Sequence, residues 1–587
     1  MLVGAPELGP RAGRAACVFA LLLLVAAGGG CKKSASAPLV LPPAPSETVA
    51  RVHWLGKQRL AADTNAASVM EIWNLAESKA LEAQTLDRMA VGLTASHQSS
   101  VISNQLSVTG LQSTITNQPP QLTGPAALLR PLLDDLVQQE SYVEVRQATN
   151  QPGELACAIR LSAERARLWQ TNLAAFVESL TGSRVVAGPG RTSGWQLQIT
   201  SHQSQTARFI DLARVGDWTV IGLGRETNAL HAEMLALIGR DGLPFAPQPK
   251  DFWVYADFDL PRVASALSMD WQLPAGLPRI SLYAIGDRNG VHSWCQLNFP
   301  QPLPFALEPW NIPTNLIHEP LVSFTAVQGI QPWLSSLKFW QDLHVGAPPN
   351  QVYFWAQRGL PFSFCAAPLV DGSNRVYQVA GQLQQDANPW LAANGLGQFK
   401  RSTNANGVVW DDLSMLSPYL RAVSTSRGEF AFVGSEEDQS SNRPASAVLF
   451  QQVTSQTNLV GYDWELTGPR IMQWLYVGQF IRFALHKAQV PPKSASFAWL
   501  TALEMRLGNC ATAVTRTGPA QLTVRRGSSL GVTAAELDWL ADWLESPQFP
   551  RGLNTFLGEP TPLPAKRAPR PGSGSSTHSV PSAPGQP

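Results

Sequence analysis

The sequence predicts an α+β fold built from two tandem homologous halves, each a mainly antiparallel sheet with packed helices. The first observation is an internal match at an offset of about 210 residues, the kind of self-similarity that duplicated units leave. Val254–Leu260 and the Pro-Arg segment after it resemble Val460–Leu466 and the Pro-Arg segment that follows. The second is a series of short strand patterns joined by turns, such as the hairpin signal at Asp287–Gly290. Hairpin-joined strands with separate helices are typical of α+β layers.

Helices and strands alternate along the first half. Thr123 and Pro125 precede leucines at helical spacing, as an N-cap and an early proline would. Two strand candidates follow around a turn, and Ser162 then caps a helix that Gly182 terminates. The remaining elements of this half are strands at 195–199, 217–222, 252–258, 280–285 and 291–299, and helices that begin at Glu226 and Pro261.

The internal match extends through five anchors in the same order. The helix after Pro125 corresponds to the helix after Pro332, and the acid-bearing strands come last, with a shift of 206 residues. Between them lie Tyr142 with Tyr353, Cys157 with Cys365 at a shift of 208, and Gly216 with Gly428 at a shift of 212. An ordered series of matches at nearly constant spacing predicts a tandem duplication.

These patterns divide the chain into eight segments. They are a signal peptide (1–30), a flexible tether (31–51), an N-terminal extension (52–122), the first repeat (123–300), a linker with a strand (301–329), the second repeat (330–515), a C-terminal helical segment (516–562) and a disordered tail (563–587). The C-terminal segment begins its helix at a capping box, Thr533–Glu536. The tether and tail are rich in Pro and Ser, so neither is expected to bury a core.

The first thirty residues have the layout of an export signal. Arg11 and Arg14 precede an apolar run over 15–27, which is too short to span a bilayer as a helix. Three glycines then lead to Cys31. Small residues that end in Cys resemble the lipobox of bacterial envelope lipoproteins, although Gly28 stands where that family usually has an aliphatic residue. An ordinary cleaved signal and an uncleaved anchor are the alternatives.

The resemblance to uncharacterised bacterial envelope lipoproteins implies a location and brings no activity with it. It implies cleavage before Cys31, lipidation of the Cys31 thiol, and a protein held on a membrane and facing the periplasm. In well-studied lipoproteins an Asp after the lipidated Cys favours the inner membrane. Lys32 occupies that position here, so the resemblance slightly favours the outer membrane.

Composition limits the expected partners. Apolar residues make up 44% of the chain and charged residues 15%, against a typical ~25%, and the formal net charge is +1. No basic stripe is visible, which argues against a nucleic-acid partner. A neutral surface rich in Gln, Asn, Ser and Thr favours a protein outside the cytoplasm. The expected partners are the membrane, through the lipid anchor, and an unknown protein or glycan.

Four cysteines remain outside the signal and the lipid site: Cys157, Cys295, Cys365 and Cys510. An even number in an exported chain permits two disulfides. Cys157 and Cys295 are in phase with apolar neighbours on predicted strands, which favours buried free thiols. The absence of a CxxC pair argues against a zinc or redox site.

Two pairs of acids are the most interesting candidates for chemistry. Asp257 and Asp259 in the first repeat correspond to Asp463 and Glu465 in the second. Each pair is spaced i, i+2, which on a strand places both side chains on one face. Such a pair can act as general acid and base or hold Ca²⁺. The favoured interpretation is structural: the acids end a strand and pair with the arginine of the following helix.

A glycine turn at Gly222–Gly224 follows a strand and precedes a helix, which invites a nucleotide-binding interpretation. The third glycine of a dinucleotide fingerprint is absent, and the second repeat keeps only Gly434. The turn is therefore interpreted as structural. No catalytic motif and no metal-ligand spacing occurs in the sequence, so we predict no catalytic residue, cofactor or metal.

The leading functional hypothesis is a membrane-tethered lipoprotein with a non-enzymatic binding or scaffold role in the cell envelope. Its ligand would contact the cleft between the halves, because such clefts are preferred sites. The alternative is an envelope hydrolase of polysaccharide or peptide with carboxylates near that cleft. Convergence of the two acid pairs on one cavity would favour the hydrolase.

Overall fold

A computed structural model describes most of the chain between residues 48 and 550. The described residues are 48–98, 122–147, 153–187, 194–199, 208–226, 228–246, 252–266, 276–337, 340–341, 346–358, 363–369, 374–393, 400–404, 407–411, 418–434, 443–484, 494–546 and 549–550. The predicted signal peptide, the predicted lipidation site at Cys31 and the predicted tail lie outside these residues.

Strands contribute one large sheet. They are β1 (Thr48–Trp54), β2 (Ser141–Arg146), β3 (Glu154–Arg160), β4 (Val186–Ala187), β5 (Gly194–Ile199), β6 (Arg208–Val215), β7 (Trp218–Gly224), β8 (Val254–Phe258), β9 (Arg279–Asp287), β10 (Gly290–Asn298), β11 (Leu321–Gln328), β12 (Gln351–Gln357), β13 (Ser363–Pro368), β14 (Lys400–Asn404), β15 (Gly407–Asp411), β16 (Tyr419–Thr425), β17 (Gly428–Gly434), β18 (Leu459–Leu466), β19 (Asn509–Gly518) and β20 (Gln521–Ser528).

Helices pack on both faces of this sheet. They are α1 (Lys57–Ala62), α2 (Ala67–Trp73), α3 (Ala76–Gln98), α4 (Gly124–Gln138), α5 (Ala163–Thr181), α6 (Ala229–Asp241), α7 (Leu260–Ala266), α8 (Gln331–Ser336), α9 (Asn374–Ala393), α10 (Ala447–Thr454), α11 (Thr467–Ala484), α12 (Ala495–Glu504) and α13 (Ala534–Glu545). The predicted boundaries at Gly182 and at the Thr533–Glu536 capping box are confirmed. Among the described residues, no helix is long and apolar enough to cross a membrane.

The strand pairings are antiparallel throughout the described sheet, and the predicted α+β class is confirmed. Strands of the first half are ordered β4-β5-β6-β7-β3-β2-β1-β8-β9-β10. Strands of the second half are ordered β14-β15-β16-β17-β13-β12-β11-β18-β19-β20. The two halves therefore share one strand order, and a tandem duplication stays a prediction.

The halves join edge to edge. β10 pairs with β20, from Val291 opposite Ser528 to Asn298 opposite Gln521. Both strands are antiparallel last strands of their halves, so a local pseudo-two-fold axis passes near the Trp294–Arg525 pair. The junction of the halves is thus a continuous part of the sheet rather than an open cleft.

The sheet moves two predicted boundaries. β1, which was assigned to the tether and the N-terminal extension, pairs with β2 and β8 in the middle of the first half. β20, which was assigned to a C-terminal helical segment, pairs with β19 and β10. Both strands depend on partners far away in sequence, so local patterns could not assign them to a repeat.

The front face of the sheet, defined as the face that carries Tyr255 and Tyr462, has one core in each half. In the first half, α6 packs on strand residues that include Tyr142 and Trp218. In the second half, α10 contributes Phe450 to a larger aromatic core. Burial of these large side chains gives each half its own hydrophobic core.

The opposite, back face is also covered by helices. In the second half, α11, α12 and α13 form a core with Ile72 of α2, which brings the N-terminal helices onto the C-terminal ones. At the junction of the halves, the back face carries a separate apolar cluster from β10, β18, β19 and β20.

Candidate functional site

The second acid pair lies on the back face of β18. Asp463 and Glu465 are both buried, and they flank Trp464 on the strand, so their side chains share a face. Thr325 on β11 donates a hydrogen bond from Oγ1 to Asp463 Oδ1 at 2.5 Å. The Ala534 N–H at the start of α13 donates to Glu465 Oε1 at 2.7 Å.

Two arginines and a third carboxylate complete a largely buried group, which we call the charged cluster: Asp463, Glu465, Arg470, Arg526 and Glu536. Arg470 of α11 interacts electrostatically with both acids of the pair and donates from Nη1 to Gln473 Oε1 at 2.6 Å. Arg526 of β20 holds Glu536 through two hydrogen bonds of 2.6 and 2.8 Å. The cluster therefore ties α11 and α13 to the sheet.

The ionisation of this cluster is shifted. Burial raises the pKa of Asp463 and of Glu465 above the usual carboxyl range, and the charge of Asp463 raises the pKa of Glu465 further. Burial lowers the pKa of Arg470. Three carboxyls face two guanidiniums, so one proton held by the Asp463–Glu465 pair leaves the cluster neutral. Neutrality matters because an unbalanced buried charge is costly.

The first acid pair is built differently. Asp257 is buried on the front face of β8, where Arg279 Nε donates to Oδ1 at 2.9 Å and Ser281 Oγ donates to Oδ2 at 2.6 Å. Asp259 lies beyond the end of the strand and accepts a hydrogen bond from the Arg262 N–H at 3.2 Å. That bond is the type that caps a helix. The prediction that these two acids share a strand face is therefore wrong, and the prediction that they serve the strand-to-helix turn holds for Asp259.

The two pairs lie on opposite faces. Directly paired residues of antiparallel strands share a face. A row of directly paired residues crosses the sheet from Asp463 on β18 to Val254 on β8, and all of its members share one face; the residues between them are Thr512, Arg526, Ser293 and Ala284. Val254 lies three residues before Asp257, and consecutive strand residues alternate faces. Asp257 thus points to the front and Asp463 to the back, five strand steps apart, or about 24 Å at the usual strand spacing.

The strand alignment implied by the sequence is wrong by one residue. Tyr255 and Tyr462 occupy equivalent places in the two halves. Tyr255 on β8 and Tyr142 on β2 both pair with His53 of the strand between them, β1. In the same way, Tyr462 on β18 and Tyr353 on β12 both pair with Ala326 of β11. The shift between these strands is therefore 207 residues, and the structural equivalent of Asp463 is Ala256. A slip of one residue exchanges the two faces.

The glycine turn serves helix packing. A Cβ on Gly222 would come within 2.9 Å of the His231 side chain on α6. A Cβ on Gly224 would come within 3.1 Å of Asn228, the residue that caps α6 through a 2.9 Å hydrogen bond from the His231 N–H. The glycines allow a close approach of strand and helix, as the structural interpretation expected.

The four cysteines that the structure describes, Cys157, Cys295, Cys365 and Cys510, are free thiols. Burial raises the pKa of Cys157, Cys295 and Cys365 to about 12, and it raises the pKa of Cys510 well above its usual value. These thiols are therefore protonated and poorly nucleophilic at neutral pH. Within the described residues, no group of His, Cys, Asp and Glu side chains could hold a metal ion.

An apolar pocket of about 310 Å³ lies on the back face where the halves meet. We call it the junction pocket. Its lining comes from β10, β20, β19, β18 and β11, from the linker after β10, and from the start of α8 with the two residues before it; the residues include Leu297, Phe305, Val327, Trp333, Gly461 and Leu522. None of the four predicted acids lines it.

Two glycines shape the junction pocket. Gly329 has a φ of +79°, and a Cβ there would come within 3.1 Å of the Phe305 ring. Gly461 has no such constraint, because a Cβ would meet Val514 at 3.7 Å, an ordinary contact. The missing side chain at Gly461 therefore leaves space that a larger residue would fill.

The pocket and the charged cluster are neighbours. Thr325 lines the junction pocket and also donates a hydrogen bond from its hydroxyl to Asp463. Sequence reasoning missed the pocket, since it treated 301–329 as a connector. Two signals could have indicated it: the bulky residues Phe299, Leu303 and Phe305 around prolines, and a glycine inside a strand at Gly461.

No protein-family model matches the chain, and neither the curated proteins nor the solved structures contain a match. Function is therefore inferred from the residues of the junction pocket and the charged cluster themselves.

Proposed function

We propose that the protein is a non-enzymatic binding protein of the cell envelope, and that the junction pocket is its ligand site. The observation that carries this proposal is the pocket itself, an apolar space of about 310 Å³ between two halves that otherwise form one continuous sheet. Its volume lies at the lower end of the range of small-molecule sites, roughly 300–1,000 Å³.

The construction of the pocket supports a ligand site over a packing defect. Large apolar side chains, Phe299, Phe305 and Trp333, surround the space without filling it. Protein interiors are close-packed, and an unfilled space of this size forfeits contacts that a larger residue at Gly461 would supply. A glycine at this unconstrained position therefore keeps the space open.

The second part of the proposed function is a lipid anchor on Cys31. A lipid on Cys31 would hold the protein on a bacterial envelope membrane, facing the periplasm, with the tether between membrane and sheet. A Cys31→Ala variant is expected to leave the membrane fraction, whereas a Cys31→Ala variant that still fractionates with membranes would contradict the anchor. An unknown protein or glycan partner would act in addition to the pocket ligand.

Binding of an uncharged fluorescent probe, N-phenyl-1-naphthylamine, tests the pocket. We expect saturable binding to the purified protein at one site, and a loss of affinity of at least tenfold in Gly461→Leu. The matched control is Val448→Leu, because Val448 on α10 is exposed and lies on a helix of the front-face core. Equal affinity in all three proteins, or no saturable binding, would contradict the proposal.

The geometry gives less support to the alternative hydrolase. Glycosidases need two carboxyls about 5–10 Å apart across an accessible site, and Asp257 and Asp463 lie on opposite faces. Asp463 and Glu465 are buried under α11 and α13 and are already engaged by Thr325, Arg470 and the Ala534 N–H.

A further inference from the structure

Two polar side chains of the junction pocket, Gln328 and Thr325, are already engaged. Gln328 accepts the Glu308 N–H at 3.0 Å and donates to the Leu459 carbonyl at 2.7 Å. Thr325 uses its only O–H donor in the hydrogen bond to Asp463. The other side chains that line the pocket are apolar, apart from Trp333, which carries an indole N–H, and Tyr462, whose ring belongs to the front-face core. A charged or strongly polar ligand group inside the pocket would lose its hydration and gain few partners, at a high cost.

The lining residues of the junction pocket extend further across the strands than along them. They come from five adjacent strands, from Leu297 on β10 to Val327 on β11. Four strand steps correspond to about 19 Å. A space of 310 Å³ stretched along this direction is narrow. Such a space fits one unbranched carbon chain better than a branched or bulky ligand.

The volume sets the length of that chain. One methylene occupies about as much space as one water in the liquid, roughly 30 Å³. A space of 310 Å³ therefore holds about ten methylenes.

From this chemistry we propose that the junction pocket binds one hydrocarbon chain of an amphiphile. The head group of that amphiphile stays outside the pocket, in the solvent. This inference rests on the proposed function, because it names the ligand class for the same pocket. A membrane-tethered protein would meet such chains at the bilayer surface.

A chain-length series tests the inference. Uncharged n-alkyl maltosides from hexyl to dodecyl, below their micelle concentrations, are titrated into the purified protein by calorimetry. We expect one site, a negative heat-capacity change, and an affinity that rises about fourfold per added methylene, the equivalent of about 0.8 kcal/mol. The rise should stop once the chain fills the pocket, at about ten carbons.

In the Gly461→Leu variant the affinity should stop rising about two to four carbons earlier in the series, because the leucine side chain occupies part of the same space. Val448→Leu should reproduce the original series. Thermal unfolding of both variants in parallel shows that they are folded. Affinity independent of chain length, or an identical series in Gly461→Leu, would overturn the hydrocarbon-chain inference. If N-phenyl-1-naphthylamine still binds in a Gly461-dependent manner, the pocket function survives that result; if neither ligand binds, both proposals fail.

Discussion

Asp257 and Asp463, which the sequence aligns with each other, point to opposite faces of one sheet and lie five strands apart. Each acid is held by its own partners, Arg279 and Ser281 for the first and Thr325 and the charged cluster for the second. The two acids are thus separate structural features rather than halves of one centre.

Asp257→Asn and Asp463→Asn should act independently on stability. We expect the change in unfolding free energy of the double variant to equal the sum of the single changes within about 0.5 kcal/mol, as for distant sites. Urea unfolding of the four proteins measures this. A coupling energy above about 1 kcal/mol would mean that the acids share a network.

Glu465→Gln should stabilise the protein at alkaline pH. Because burial and Asp463 raise the folded-state pKa of Glu465, its favourable contribution is complete below the unfolded pKa near 4 and is lost as pH rises through the raised value. The unfolding free energy of the variant, relative to that of the original protein, should therefore increase by on the order of 2 kcal/mol between pH 5 and pH 8.

Unfolding free energies measured across that pH range test the gain. The matched control is Glu429→Gln on β17, where the side chain is exposed. A Glu465→Gln effect that does not change with pH would contradict the raised pKa.

Removal of both carboxyls should have the opposite effect. In Asp463→Asn/Glu465→Gln the guanidinium of Arg470 loses the negative charge of the acid pair, and breaking a buried ion pair from one side costs about 3–5 kcal/mol. Adding Arg470→Met should recover a large part of the loss, since an apolar side chain of similar length replaces the unbalanced charge. Equal stability of the double and triple variants would show that Arg470 does not depend on these acids.

Gly222→Ala should destabilise the first half. Its Cβ would lie 2.9 Å from the His231 side chain, so strand β7 and helix α6 would have to separate, at about 1–3 kcal/mol. Gly239→Ala is the control on the same helix, where a Cβ meets nothing within 4 Å, and it should add about 1 kcal/mol of stability. A neutral Gly222→Ala variant would argue against the packing role of this turn.

Local patterns predicted the parts of this fold that depend on neighbouring residues. The helix ended by Gly182, the capping box at Thr533–Glu536 and the packing role of Gly222 follow from short-range chemistry and were correct. Tyr142 with Tyr353 and Cys157 with Cys365 also correspond in the sheet, since both matched pairs lie on strands of the same order and register.

Long-range pairing limited the rest. β1 and β20 join the sheet through partners far away in the chain, so their membership is set by pairing rather than by pattern. The alignment of Asp257 with Asp463 was wrong because it matched the two acids to each other. The strand register instead matches the tyrosines beside them, Tyr255 and Tyr462, which shifts the alignment by one residue. The junction pocket was not predictable because its walls come from both halves and from the linker between them.

The most direct test of the proposed binding function is a crystal structure of the protein grown with N-phenyl-1-naphthylamine. We predict density for the probe on the back face, in carbon contact of about 4 Å with Gly461 and Leu522 and beneath Phe305. Density for the probe on another surface, or a junction pocket closed by the Trp333 side chain with the probe bound elsewhere, would contradict it.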